Sequence, residues 1–177
     1  TLSQYREVFT FPIEDYYKRV GFDFDKIPFS MLAHEYMEDY QEKSYACDLH
    51  SDVLDVVNKA KNLGFSQTVL SASKMDYLLK QMETLHVDDL FDSIYGINDI
   101  YAKSKVELAH AFKQTCSLDD EIYFVGDSVH DYEVAKSIGA KCILVTTGHQ
   151  NRATLESVNV PVMDSLMESL DLIYERD

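Results

Sequence analysis

The chain of 177 residues has only three cysteines, Cys47, Cys116 and Cys142, widely separated and without a CxxC pair. That excludes a disulfide framework and a cysteine zinc site, and it fits a reducing compartment such as the cytoplasm. Cations are scarce as well. Sixteen Lys and Arg stand against 31 Asp and Glu, a formal net charge of −15. A surface this acidic repels a nucleic-acid backbone and an anionic membrane, so neither is expected as a partner. An anionic substrate would need local positive charge from a lysine or a metal ion. No apolar run approaches the roughly 18 residues of a membrane span. The opening TLSQYREVF has neither the basic start nor the apolar stretch of a secretory signal. It also lacks Met, so Thr1 need not be the native start. Internal repeats and low-complexity linkers are absent too.

What is present is ordinary for a globular protein: 46% hydrophobic and 27% charged residues. The length allows one domain with a small appendage. Residues 1–49 are rich in Tyr, Phe, Asp and Glu and read as a small helical unit. Ser3–Val8 forms a short helix there. Ile13, Tyr16, Tyr17 and Val20 follow a helical period after Pro12 and stop at Gly21. Leu32, Tyr36, Met37 and Tyr40 repeat the pattern within 29–45, and these aromatic stripes read as core packing. From His50 onward helices and strands alternate. Strands are expected over 67–70, 91–95, 122–125, 142–145 and 160–163. Helices are expected over 53–60, 75–85, 105–112, 129–138 and 165–174. Strands separated by helices of this length imply an α/β fold, a doubly wound parallel sheet spanning 50–177.

In such a sheet the strands share a direction, so polar residues at their carboxyl ends collect on one edge, where ligands bind. Three strand ends qualify. Ser71 and Ala72 follow Thr68-Val69-Leu70, where a hydroxyl and backbone N–H groups suit phosphate oxygens; a plain helix N-cap is the alternative. Gly126 and Asp127 follow Tyr123-Phe124-Val125, with Asp131 four residues on. Two carboxylates at a strand-to-helix turn suit a hard cation such as Mg²⁺, and Asp127 as a helix cap is the alternative. Thr146, Thr147 and Gly148 follow the third strand. Lys105 opens a helix, a position unfavourable for a cation and explained by an ammonium reaching into the site. Lys103 competes with it for that role. His130 and His149 flank the site in sequence and would add positive charge when protonated.

Ser71 after one strand, Lys105 at a helix start and GDSVHD (126–131) after another strand together resemble the haloacid dehalogenase-like hydrolase superfamily, and more narrowly its phosphoglycolate-phosphatase-like branch. The likeness covers most of residues 50–150. It implies a Rossmann-like core over 50–177 with residues 1–49 as a helical cap. It implies a phosphatase acting through an aspartyl-phosphate on a small phosphorylated metabolite. In that reading Asp127 binds Mg²⁺, and Asp131 binds it directly or orients its waters. Ser71 and the Ala72 backbone hold the phosphoryl group, and Lys105 neutralises charge between phosphate and nucleophile.

One motif departs from the family pattern. The family's DxD nucleophile follows an apolar first strand ahead of the cap. The only DxD here, Asp23-Phe24-Asp25, follows YYKRVG inside the helical unit. That strand would lie between the strands ending at Ser71 and Asp127. We therefore expect the 177 residues to be the C-terminal part of a longer protein, and inactive by themselves. A non-catalytic relative that binds a phosphorylated ligand or a protein partner is the alternative. A receiver-type signalling domain would need its paired acids early, and here they come late.

Overall fold

The computed structural model describes residues 1–97 and 104–175. The chain opens with α1 (Leu2–Val8), α2 (Ile13–Arg19) and α3 (Phe29–Ser44). Thr1 caps α1: its hydroxyl accepts the Gln4 N–H, and the Gln4 side chain reaches back to the cap. The expected aromatic stripes do meet one another. Phe9 lies 5.3 Å from Tyr5 and 5.4 Å from Tyr16, ring centre to ring centre, and Tyr17 lies 5.8 Å from Phe29. They do not form a buried core, however. Among the described residues of 1–49, Phe9 is the one buried hydrophobic, while Met31, Tyr36 and Met37 are exposed. The periodicity of α3 gave it an apolar face. Its ends meet other elements, Phe29 lying against Tyr17 and Tyr40 against Tyr77 of the following α/β part, but much of the face between them stays exposed.

The α/β part runs α4 (Val53–Asn62), β1 (Thr68–Lys74), α5 (Met75–Thr84), β2 (Ser93–Ile97), α6 (Lys105–Lys113), β3 (Tyr123–Gly126), α7 (Val129–Ser137), β4 (Lys141–Val145), α8 (Arg152–Glu156), β5 (Val162–Met163) and α9 (Leu166–Tyr174). All pairings are parallel, as alternating helices and strands require. Several details differ from the sequence reading. β2, expected over 91–95, runs Ser93–Ile97 through Gly96. β1 continues through Ser71 to Lys74, with its register to β2 shifting between Leu70 and Lys74. β5 is two residues long. α8 was not anticipated; its signal is Asn151, whose side chain accepts the Thr154 N–H.

The strands fall into two sheets, β1–β2 and β3–β4–β5. They share one apolar floor. α6 packs on β1 and β2, α7 packs on β3 and β4, and α6 and α7 pack on each other. Leu70 of β1 and Phe124 of β3 both lie against the same cluster, Ala109, Val134 and Ile138. Yet β1 and β3 do not pair. Neither strand contains a buried residue, whereas Cys142–Val145 of β4 are all buried. Val125, in the middle of β3, is 37% exposed. The described residues thus leave a slot between β1 and β3 that no strand among them fills. The firmest core lies behind β4, where Leu144 and Leu155 are fully buried, worth about 1.5–3 kcal/mol each. Across the molecule, Asp52 ahead of α4 accepts the Leu166 and Met167 N–H groups at the start of α9.

Candidate functional site

The site is built where β3 turns into α7. Gly126 ends the strand because only glycine fits: a Cβ there would stand 2.3 Å from the Asp131 Cβ. Ser128, rather than Asp127, caps α7. Its Oγ accepts the Asp131 N–H at 3.2 Å, and Asp131 returns the bond to the cap. This frees Asp127 from the capping role that the sequence left open.

Asp131 is the hub of the turn. Its Oδ2 accepts from Asp127 N–H (3.0 Å), Ser128 N–H (3.1 Å) and Ser128 Oγ (2.7 Å). Its Oδ1 accepts from the Lys105 ammonium at 2.6 Å. The Asp131 side chain is 4% exposed and that of Lys105 19%. Burial opposes ionisation of Asp131. The Lys105 charge and the hydrogen bonds from Lys105, Ser128 and Asp127 outweigh it and hold the carboxyl below its usual range. Lys105 also lies 5.6 Å from the centre of the Phe124 ring. The cation at the head of α6 is thereby explained: it is paired across the gap between α6 and α7, while Ser104 caps the helix.

Asp127 is held differently. Its Oδ2 accepts the His149 N–H at 2.7 Å, and a Cβ on Gly148 would fall 1.8 Å from that same oxygen. The loop after β4 therefore lies directly on this carboxylate. Ser71 sits at the irregular end of β1, where its Oγ accepts the Ser73 N–H at 3.1 Å. It is not the cap of α5, which begins after Lys74. Ala72 is exposed. Among the described residues, no hydrogen bond or ion pair joins Ser71 or Ala72 to the Asp127–Asp131 turn. Lys103 lies outside the described residues. Asp23 and Asp25 occupy a turn between α2 and α3, where Asp23 accepts the Asp25 N–H and pairs with Lys26. No strand precedes them.

Both histidines contact the helical unit. The His149 ring stacks on Phe9 at 4.7 Å, and its Nδ1 is 2.6 Å from the Tyr5 hydroxyl. His130 lies 5.2 Å from the Phe11 ring and 3.3 Å from Glu133. The Tyr5 phenol is pushed up to about 12, first by burial and then by Tyr16, Tyr36 and Asp127, so it stays protonated beside His149. Three participants were missed in sequence: Ser128, Arg6 and Gln150. S-x-x-D at 128–131 is a capping-box spacing and was legible. Arg6 lies more than 140 positions from the loop it binds and left no local signal.

The donor set suits a hard cation in part. Among the described residues, no three His, Cys, Asp or Glu side chains are grouped to hold a metal ion. Both oxygens of Asp131 are committed to protein donors. Asp127 accepts one such bond, so it is the carboxylate with acceptor capacity to offer Mg²⁺, which favours oxygen ligands and keeps several waters.

Comparison with known proteins agrees with this architecture. No curated protein matches the chain. Solved structures do. A haloacid dehalogenase-like family hydrolase from Streptococcus pneumoniae superposes with a TM-score of 0.79 at 21% identity, over 92% of this chain and 76% of its own. A predicted phosphatase from Clostridium acetobutylicum gives 0.75 at 20%, over 92% and 76%. A predicted phosphoglycolate phosphatase from Haemophilus somnus gives 0.66 at 16%, over 97% and 80%. At these identities the likeness establishes the fold. The family itself is established in sequence: residues 1–145 match the model of the haloacid dehalogenase-like hydrolases, and the chain belongs to that family.

Proposed function

We propose that this chain forms the larger part of a Mg²⁺-dependent phosphatase that hydrolyses a small phosphate monoester, phosphoglycolate foremost, through an aspartyl-phosphate. The observation that carries the reading is the Lys105–Asp131 pair beside Asp127, at a strand end next to an open slot. Residues 1–49 would act as the cap, and residues 50–177 as the core. In this reading Asp127 holds the cation, which would draw together nucleophile and phosphate oxygens. Asp131 fixes the Asp127 backbone and the position of Lys105. Lys105 lends its charge to the developing phosphoryl transition state. Ser71, once released from Ser73, donates to a phosphate oxygen, and the Ala72 N–H joins it.

The nucleophile is the missing part. A strand filling the slot between β1 and β3 would pair with both strands, cover Val125 and bring a carboxylate between Ser71 and Asp127. We propose that it comes from polypeptide ahead of Thr1, and that the enzyme works in a reducing compartment such as the cytoplasm. The test has two steps. The gene is read upstream of Thr1 for an apolar strand ending in DxD, and the longer protein is then assayed with a phosphate-ester panel, with Mg²⁺ and with EDTA. Mg²⁺-dependent turnover by the longer protein and none by residues 1–177 is expected. A complete gene without a DxD strand, or turnover by residues 1–177 alone, would falsify the reading. The first outcome would favour a non-catalytic binder of a phosphorylated ligand.

A further inference from the structure

We infer that Arg6 is a positioning residue for Asp127, acting through the single peptide unit that joins Gly148 to His149. The carbonyl of that unit, Gly148 O, accepts from Arg6 Nε at 2.8 Å. The N–H of the same unit, on His149, donates to Asp127 Oδ2 at 2.7 Å. In a trans peptide these two groups point in opposite directions, so the plane is held from both sides. A guanidinium on the carbonyl also polarises the N–H toward the carboxylate, since hydrogen bonds in series strengthen one another. Arg6 Nη2 donates to the preceding carbonyl, Thr147 O, at 2.8 Å, which fixes the guanidinium as a fork across two consecutive carbonyls. If the peptide flipped, its carbonyl would face the Asp127 carboxylate and its N–H would face the guanidinium, so both contacts would become repulsive.

The rest of the loop shares this design. Buried Gln150 accepts the Val129 N–H through Oε1 at 2.7 Å, and Asn151 donates to Arg6 O at 3.5 Å. Gly148 leaves no room for a side chain beside Asp127. A residue of the first helix thus holds, through one peptide unit, a carboxylate that is distant in sequence but adjacent in space. The functional weight of this relay rests on the reading of Asp127 as the metal-holding carboxylate, but its geometry does not.

Amide NMR of residues 1–177 tests the relay without metal, substrate or turnover, so it can fail while the proposed reaction stands, and the reverse. In Arg6→Gln the His149 amide proton should move upfield and exchange with solvent about tenfold faster, the scale of one lost hydrogen bond. The amides of Cys142–Val145 should keep their protection. Arg6→Lys should restore part of the His149 protection, since an ammonium still reaches one carbonyl. Unchanged His149 exchange in Arg6→Gln would overturn the inference. So would an equal rise at His149 and throughout β4, which would make Arg6 merely structural.

Discussion

Replacing Lys105 with Met tests the electrostatics on which the site depends. The methionine keeps most of the stem that lies beside Phe124 and removes the charge. At 2.6 Å, with an effective dielectric of about 20, the gross attraction to Asp131 is about 6 kcal/mol. Much of that offsets the cost of removing the two ions from water. What the substitution reveals is the cost of a buried carboxylate without its cation, about 3–5 kcal/mol. Three other donors remain on Asp131 and the Lys105 head is partly solvated, so a loss near 3 kcal/mol is expected. For a chain of this size that lowers Tm by about 6–12 °C. The dependence on pH identifies the cause. The Asp131 pKa is depressed below its usual 3.8 in the folded state. Its contribution is therefore fully present above that value and is lost as pH falls through the folded pKa. Urea unfolding at pH 7 and again below pH 4 should show the gap between wild type and Lys105→Met shrinking in acid. A gap under about 1 kcal/mol at pH 7, or one that does not change with pH, would refute the reasoning.

Gly148→Ala places a methyl 1.8 Å from Asp127 Oδ2. It should cost about 1–3 kcal/mol in urea unfolding, as overpacking does, and a neutral result would mean the loop has slack. Leu144→Ala removes a fully buried side chain and should cost about 2–5 kcal/mol, whereas Val125→Thr on the slot edge should cost under about 1 kcal/mol; denaturation midpoints separate the two. Ser71→Ala loses the bond to the Ser73 N–H, about 1 kcal/mol. In the longer protein it should reduce kcat/KM about tenfold or more if Ser71 also holds phosphate, which steady-state kinetics would show.

The order of helices and strands was legible from residues 1–177 because each element carries its own period and its own stop, as the apolar run 122–125 before Gly126 does. Lys105, Asp127 and Asp131 stood out for the same reason: each sits just past a strand or at the start of a helix, and such ends are local. Ser71 stood out because its apolar run ends at Leu70, although β1 continues past it to Lys74. The tertiary structure decided how these residues divide the work. It gave the cap of α7 to Ser128, made Asp131 the buried partner of Lys105, and left Asp127 to a loop that reaches it from beyond β4. It exposed the α3 stripe that periodicity had assigned to a core, since a period shows which face is apolar but not whether anything covers it. Arg6 could not have been found by pattern, because its role depends on one peptide plane brought to it from more than 140 residues away. The relation of β1 to β3 was decided by the fold alone: Leu70 and Phe124 pack on the same two helices, and among the described residues no ladder joins their strands, which no local period could have announced.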